Sequence, residues 1–170
     1  RNVGSFDKPL RVENEIPALI QVPKIIEICK KYNIFIKEHN ADYLSDDALK
    51  WHPRLGIHAS NVAPEFGVTE TLSLIKILEE NDQQKLADEF LSISFQSNYW
   101  KKWMLNDSKA DDRQKAIIGG HYIFGTNKFR EIKKNAYLNL QKKDINLDSY
   151  LEDNIKKSIL RYLKNFRLVK

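Results

Sequence analysis

The sequence contains a single cysteine, so no disulfide can form within the chain. That cysteine, Cys29, stands among isoleucines in an amphipathic helical pattern, which favours a small buried apolar side chain over a nucleophile. The lack of a disulfide framework is typical of a reducing compartment, and we expect a cytoplasmic protein. Long apolar runs are missing as well. No run approaches the roughly 20 residues of a transmembrane helix, so we expect no membrane partner.

Familiar binding and catalytic signatures are also missing. The sequence has no P-loop, GxGxxG, HExxH or CxxC pattern, and no RNP, zinc-finger or basic-zipper signature. The net charge of +5 and the pI near 9.1 come from lysines that are interspersed with acidic residues along the C-terminal half. This distribution is typical of a solvated helical surface, so we predict no nucleic-acid partner. A basic helical nucleic-acid-binding module is the less favoured alternative.

The 170 residues can form one hydrophobic core, or one compact unit with an appendage. A hydrophobic fraction of 42% indicates a globular fold rather than a disordered chain. The sequence opens at Arg1 with neither an initiator methionine nor a targeting pattern. We therefore interpret the chain as part of a longer protein.

Residues 33–67 have the pattern of a βα repeat. Two short apolar runs, 34–36 and 55–57, are predicted strands, and each opens into a cluster of polar side chains. A helix capped by Ser45 is predicted between them at 45–51. Alternating strands and helices are typical of an α/β fold with a parallel sheet, whose chemistry gathers at the C-terminal ends of the strands.

The remainder of the chain has helical periodicity only. Helices are predicted at 15–32, 68–80, 82–95, 110–118, 126–140 and 148–168. The aromatic and basic stretch 99–104 can indicate a nucleic-acid or membrane surface, but aromatic residues at helical spacing more often pack in a core, and we predict core packing.

The densest set of reactive groups follows the first predicted strand. His39 can ligate a metal or transfer a proton near neutral pH, and Glu38 or Asp42 can orient its ring. Lys37 can bind a phosphate as a point charge. Alternate side chains beyond a strand point to opposite faces, so Glu38 and His39 are expected to diverge. In the alternative interpretation, Asn40 and Asp42 only form the turn and cap the following helix.

The loop 61–67 follows the second predicted strand and leads into a helix. Backbone N–H groups at a helix N-terminus suit a phosphate, and Asn61 and Gly67 are the candidate contacts. The alternative is a loop of proline and glycine chosen only for its shape. Of the other histidines, we interpret His52 as a surface side chain and His121 as a packing residue.

Taken in order, these residues resemble the C-terminal half of the GatZ/KbaZ family, the non-catalytic subunits of class II tagatose-bisphosphate aldolase. The resemblance consists of Glu38, His39, Asp42 and Tyr43 in an E-H-x-x-D-Y pattern, Val62 and Pro64 in a V-G-P element with Ala63 at the glycine, and residues 3–7, 98–102 and 112–122 in further family segments. Two positions depart from the family: Leu44 replaces a glutamine, and Asn61 replaces a lysine.

The resemblance implies a TIM-type (β/α)8 barrel, of which residues 1–82 would supply the last two strands with their helices. Residues 83–170 would form an all-helical extension. It also implies sugar-phosphate metabolism on a tagatose- or fructose-type ketose phosphate, as an aldolase-associated subunit or as a metal-dependent aldolase or epimerase. The alternative is a non-enzymatic partner that stabilises a catalytic aldolase subunit. Whether the chain is itself an enzyme stays open, and an oligomer is expected.

The residue chemistry and the resemblance together give each candidate a role. The expected catalytic residues are Glu38, His39 and Asp42. The expected substrate-binding residues are Lys37, Asn40, Asn61 and Gly67. His39 is the expected ligand of a divalent metal such as zinc, which would polarise a ketose carbonyl or hydroxyl.

Overall fold

The computed structural model describes residues 2–3, 10–11, 18–39, 41–104 and 107–170. These residues form seven α-helices and four short strands, in the order β1 (Asn2–Val3), β2 (Leu10–Arg11), α1 (Ala18–Lys31), β3 (Lys37–Glu38), α2 (Asp46–Leu55), β4 (Ala59–Ser60), α3 (Pro64–Glu79), α4 (Gln84–Gln96), α5 (Asp112–Gly119), α6 (Asn127–Gln141) and α7 (Leu147–Asn165). Two 3₁₀ helices span Tyr99–Trp103 and Gly120–Ile123. The described chain is therefore mostly helical.

The strands form two separate pairs. β1 and β2 are antiparallel, whereas β3 and β4 are parallel, with Lys37 opposite Ala59 and Glu38 opposite Ser60. Because α2 connects the two parallel strands, the predicted strand–helix–strand order is confirmed. In the described residues the parallel sheet has these two strands only and closes no barrel.

β3 follows the predicted strand 34–36 instead of coinciding with it, and α2 explains why β4 also lies further along the chain than predicted. The Oγ of Ser45 accepts a hydrogen bond from the N–H of Ala48 at 3.2 Å, so the predicted cap is confirmed. The helix then continues to Leu55, past the predicted end at residue 51. Gly56, at a left-handed φ of 78°, ends it with its N–H directed at the carbonyls of His52 and Pro53. The run 55–57 is thus the end of a helix and a turn, and it is not a strand.

α3 begins at Pro64, earlier than the predicted start at residue 68. Proline suits the first helical position because that N–H needs no partner. Gly67 therefore lies inside a helix, and the prediction of a loop over 61–67 is wrong in its C-terminal part. A Cβ at Gly67 would lie 2.5 Å from the Cγ of His121. The glycine permits this close approach, and the predicted packing role of His121 is confirmed.

The later helices agree with the sequence pattern. α4, α5, α6 and α7 all occur near their predicted positions. Thr126 caps α6 as expected, with its Oγ1 accepting from the N–H of Phe129 at 3.2 Å. Asp111 and Gln114 form a reciprocal capping box at the start of α5. None of these helices, nor any other helix in the described ranges, is both long and apolar enough to cross a membrane.

Two helical segments expose apolar residues that sequence reasoning placed inside. In α1, Cys29 and Ile26 are buried as expected, whereas Ile25 and Ile28 are 46% and 53% exposed. In the 3₁₀ helix Tyr99–Trp103, no residue is buried. Trp100 and Trp103 are half-buried against Phe95 and Tyr122, so the predicted core packing of this aromatic stretch holds in part for the two indole rings and is wrong for the exposed Tyr99.

The chain divides into two compact units. Unit 1 comprises Arg1–Glu65 with Ile159–Lys170, and unit 2 comprises Phe66–Ser158. The core of unit 1 includes Ile26, Ala41, Leu44, Leu49 and Tyr162, and the core of unit 2 includes Leu74, Leu78, Phe90, Ile123, Ile132 and Leu140. The sequence also suggests a boundary at residue 82, between the barrel part and the helical extension. This boundary stays a prediction.

Gly67→Ala tests the contact between Gly67 and His121. Alanine is ordinarily better than glycine inside a helix by about 1 kcal/mol, so a gain is expected where nothing opposes the new methyl group. Here the methyl group overlaps the imidazole ring. We expect the free energy of unfolding to fall by about 1–3 kcal/mol in urea denaturation.

Gly125→Ala is the control, because nothing lies within 4 Å of a Cβ at Gly125. We expect a change within about 0.5 kcal/mol there. Adding His121→Ala to Gly67→Ala should restore part of the lost stability, since the smaller side chain makes room. A Gly67→Ala variant as stable as the parent would contradict the packing.

Candidate functional site

The parallel pair brings the polar residues that follow β3 and β4 to the same end of the sheet. Nδ1 of His39 lies 3.0 Å from Oδ1 of Asn61, and the N–H of Ala41 donates to the Asn61 carbonyl at 3.0 Å. A proton on Nδ1 can be donated to the amide oxygen, which leaves the Nε2 lone pair available. A histidine oriented in this way is suited to proton transfer or ligation through Nε2.

Glu38 points away from His39, towards α2. Its carboxylate pairs with Nε2 of His52, and Nδ1 of His52 faces the carbonyl of Ala48 at 3.1 Å. The side chains of Glu38 and His52 are only 9% and 6% exposed. The prediction that His52 lies at the surface is therefore wrong: α2 continues through Pro53 and places this histidine on its inner face.

Both ring nitrogens of His52 face oxygen atoms, one on the Glu38 carboxylate and the other on the Ala48 carbonyl. These contacts hold Glu38 against α2. The expected divergence of Glu38 and His39 is confirmed, and in this arrangement Glu38 does not orient His39.

Asp42 is almost completely buried, at 1% exposed. Its Oδ1 accepts hydrogen bonds from the N–H groups of Ala63 at 3.0 Å and Glu65 at 2.9 Å. Asp42 thus caps the start of α3, rather than α2 as the turn-and-cap interpretation has it. Burial raises the pKa of the Asp42 carboxyl, although the two N–H groups act in the opposite direction.

The Asp42 cap occupies backbone N–H groups that were candidates for binding a phosphate. Two backbone N–H groups at the start of α3 are already occupied by Asp42. A phosphate at this helix N-terminus would have to displace a buried carboxylate. Gly67 lies further along α3, packed against His121. The contacts of both Asp42 and Gly67 are therefore structural, and their expected roles towards a substrate stay predictions.

Glu65 is the centre of a contact set that sequence reasoning missed. Its carboxylate accepts hydrogen bonds from the N–H of Tyr43 and from the hydroxyl of Tyr162. Tyr162 is 3% exposed, and burial together with the Glu65 carboxylate raises the pKa of its phenol. The phenol therefore stays protonated and acts as a donor at neutral pH.

Arg161, next to Tyr162 on α7, extends this contact set. Its Nη1 lies 3.1 Å from Oε1 of Glu65, its Nε lies 2.7 Å from Oδ1 of Asp46, and its Nη2 donates to the carbonyl of Leu44. One guanidinium thus joins the end of α7 to the starts of α2 and α3. Because Arg161 is distant in sequence from these partners, no local pattern could reveal the contacts. The sequence showed only an arginine next to a tyrosine near the end of a long amphipathic helix, which does not identify their partners.

The remaining candidates lie apart from these buried contacts. Lys37 is an exposed residue of β3. Asn40 lies outside the described residues. A pocket of about 290 Å³ opens beside α2 and is lined by His52, Pro53, Ile57, His58, Ser60 and Phe166, among others. It lies next to the pair of Glu38 and His52, and His39 does not line it.

The described residues do not by themselves make a divalent-metal site. Within the described ranges, no three His, Cys, Asp or Glu side chains lie close enough together to hold a metal ion. His39 could supply one ligand, with Asn61 orienting its ring. Glu38 and Asp42 are engaged in other contacts. A metal bound through His39 would therefore require ligands from beyond this set.

Comparisons with protein-family models, with curated proteins and with solved structures found no match for this chain.

Asp42→Asn tests the buried cap. Since burial raises the folded-state pKa of this carboxyl above its ordinary value of 3.8, the folded state holds the proton over a pH range in which the unfolded state has lost it. This contribution to stability is complete below pH 3.8 and is lost as the pH rises through the folded-state pKa. Asparagine keeps the capping oxygen and removes the titration.

We expect the stability of the parent relative to Asp42→Asn to fall with rising pH in urea denaturation at a series of pH values. Asp47→Asn, at an exposed position of α2, is the control for the loss of one negative charge. A difference that stays constant with pH, or that grows in the parent's favour, would contradict the raised pKa.

Arg161→Lys tests the guanidinium contacts. Lysine keeps the charge but cannot reach Glu65, Asp46 and the Leu44 carbonyl at once. We expect a loss of about 1–2 kcal/mol in unfolding free energy, near the low end for charged hydrogen bonds because the side chain is 32% exposed. Arg113→Lys, which alters the exposed pair with Glu79, should cost less than about 1 kcal/mol. Equal effects of the two substitutions would refute a special role for Arg161.

Proposed function

We propose that this chain acts in sugar-phosphate metabolism as an accessory subunit of a ketose-phosphate aldolase, with residues 1–82 forming the last two βα units of a TIM-type barrel. The parallel pairing of β3 and β4 across α2 supports the barrel assignment, because parallel strands joined by a helix are its repeating unit. The order of polar residues along these elements supports the likeness to GatZ/KbaZ subunits.

The observation that carries the proposal is the contact between His39 and Asn61. These side chains follow neighbouring parallel strands and meet at the C-terminal end of both. In barrels and open α/β sheets, ligands bind at this end. With Nδ1 held by Asn61, Nε2 of His39 can hydrogen-bond a sugar hydroxyl or a phosphate oxygen. The exposed Lys37 adds a positive charge to the same strand.

The contacts of the other two candidate catalytic residues favour an accessory role. Glu38 is paired with His52, and Asp42 caps α3. Neither carboxylate is placed to exchange a proton with a bound sugar, since both are buried in contacts to the chain itself. Among the three candidate catalytic residues, only His39 is exposed. A single histidine provides one group for proton transfer, whereas the expected reactions move protons at two carbon or oxygen atoms.

Exposed apolar residues also support association with further protein. Ile25, Ile28, Tyr32, Ile34 and Phe35 in unit 1 are all more than two-fifths exposed, and Phe35 reaches 85%. A parallel sheet is ordinarily covered on both faces, and several large apolar side chains exposed within one unit favour a protein contact. Neighbouring strands of a barrel, with an aldolase partner beyond them, would bury these side chains.

A metal-dependent aldolase or epimerase is the second candidate. The orientation of His39 by an amide oxygen favours it, since ligating histidines are commonly oriented through their second nitrogen. This version needs further metal ligands and a proton-transfer group from outside the described residues. Turnover of a ketose phosphate by the protein would favour it over the accessory role.

His39→Ala tests the proposed site. We expect the parent to bind tagatose 1,6-bisphosphate or fructose 1,6-bisphosphate in calorimetry, and the variant to bind at least about tenfold more weakly, as expected for loss of a hydrogen bond to a charged group. Asn61→Ala, which removes only the orienting amide, should weaken binding less. Elemental analysis of both proteins would show whether zinc is lost with His39.

His58→Asn is the matched control, because His58 is another exposed histidine of unit 1 whose ring contacts Phe35. This variant should bind like the parent. A parent that binds no ketose phosphate, with or without added zinc, would refute the proposal, and so would a His39→Ala variant with unchanged affinity.

A further inference from the structure

We propose that unit 2 carries a separate binding site for a phosphorylated small molecule. It lies on a surface formed by Tyr99, Tyr122 and Lys102, with Lys101 next in the chain over the ring of Trp100, and we call this the aromatic–lysine surface. Tyr99, Lys101 and Lys102 belong to the 3₁₀ helix Tyr99–Trp103, and Tyr122 belongs to the 3₁₀ helix Gly120–Ile123. This site is independent of His39 and of the function proposed above.

The rings beneath this surface are fixed by specific contacts. The indole N–H of Trp103 donates to the hydroxyl of Tyr122 at 3.1 Å. The indole N–H of Trp100 donates to the carbonyl of Phe95 at 2.9 Å, and the two rings stack with centroids 5.5 Å apart. Both indole N–H groups therefore have hydrogen-bond acceptors within unit 2. The two tryptophans support the surface from below, and neither needs a ligand as its acceptor.

Tyr99 is the open part of the surface. Its centroid lies 5.5 Å from that of Tyr122, yet the residue is 52% exposed. Asn98, with a positive φ of 59°, begins the 3₁₀ helix that presents it. An exposed ring with one supported face can stack against a sugar or base ring on the other face.

The two lysines supply unpaired positive charge. Nζ of Lys102 lies 4.2 Å from the centroid of Tyr122, and Nζ of Lys101 lies 5.9 Å from that of Trp100. Neither ammonium group forms a salt bridge with a carboxylate of the described residues. Lys115, which also approaches Trp100, is by contrast paired with Asp112 at 3.2 Å. The rings therefore hold Lys101 and Lys102 in place while their charges stay available.

This combination fits one phosphate group attached to one ring. Lysine binds phosphate as a point charge, and the exposed tyrosine accepts the organic part of the ligand. A nucleic-acid strand instead needs a groove with several successive phosphate contacts, over about 4–16 nucleotides. Two ammonium groups and one open ring on a single 3₁₀ turn are too few for such a groove. A sugar phosphate is the ligand class of the right size.

Tryptophan fluorescence gives a direct test. The chain has three tryptophans, and replacing the exposed Trp51 by phenylalanine leaves emission from Trp100 and Trp103 only. In this Trp51→Phe background, titration with fructose 6-phosphate should change the emission saturably, and inorganic phosphate should compete. Fructose without phosphate should have no effect at equal concentration. The affinity should fall with rising salt, because exposed charges carry the binding.

Lys101→Gln combined with Lys102→Gln should weaken fructose 6-phosphate binding by about tenfold or more, and Tyr99→Ser should also weaken it. Lys134→Gln, at an exposed position of α6, is the matched control and should bind like the background protein. Unfolding curves verify that each variant is folded. These variants leave the His39 site intact, so the two proposals fail separately.

Four results would overturn this inference. The first is no saturable response to fructose 6-phosphate. The second is equal affinity in the double lysine variant and in Lys134→Gln. The third is loss of the response in His39→Ala with no loss in the double lysine variant, which would assign the binding to unit 1. Tighter binding of a ten-nucleotide single strand than of fructose 6-phosphate would likewise overturn it in favour of a nucleic-acid surface.

Discussion

Two carboxylates, that of the buried Asp42 and that of the half-buried Glu65, hold the loop after β3 in place. Asp42 accepts the first N–H groups of α3, and Glu65 accepts from Tyr43 and Tyr162. Arg161 neutralises part of the negative charge that is gathered there. The Glu65 carboxylate and Oδ1 of Asp42 are matched with donors, whereas Oδ2 of Asp42 is buried with no hydrogen-bond partner among the described residues. Removal of a donor would leave a costly unpaired group. The position of His39 depends on this arrangement, since His39 lies between β3 and the fixed loop.

The same contacts determine which side chains can meet a ligand. Glu38 and His39 are neighbours in sequence, but the strand sends Glu38 to His52 on α2 and His39 to Asn61 beyond β4. A polar cluster that looks uniform in the sequence thus divides into a buried part and an exposed part. The buried part stabilises the loop, and the exposed part is the place where chemistry can occur.

Local patterns predicted much of the fold and little of the site. Ser45 and Thr126 were recognisable as caps, and helical periodicity located the later helices, because these features depend on residues close in the chain. His52 was misjudged because its burial depends on how far α2 continues past Pro53. The contacts of Arg161 and Tyr162 depend on partners far away in sequence, so no periodicity reveals them.

The residues of the E-H-x-x-D-Y pattern could all take part in catalysis, but most of them make structural contacts instead. Its aspartate caps α3, its tyrosine adopts a positive φ of 59° and donates its N–H to Glu65, and its glutamate pairs with a buried histidine. Three of the four residues therefore specify how the loop after β3 is built, and only His39 is presented outward. A match to such a pattern argues for a shared loop structure more strongly than for a shared reaction. For this reason we propose the accessory role, rather than the catalytic one, as the hypothesis to test first.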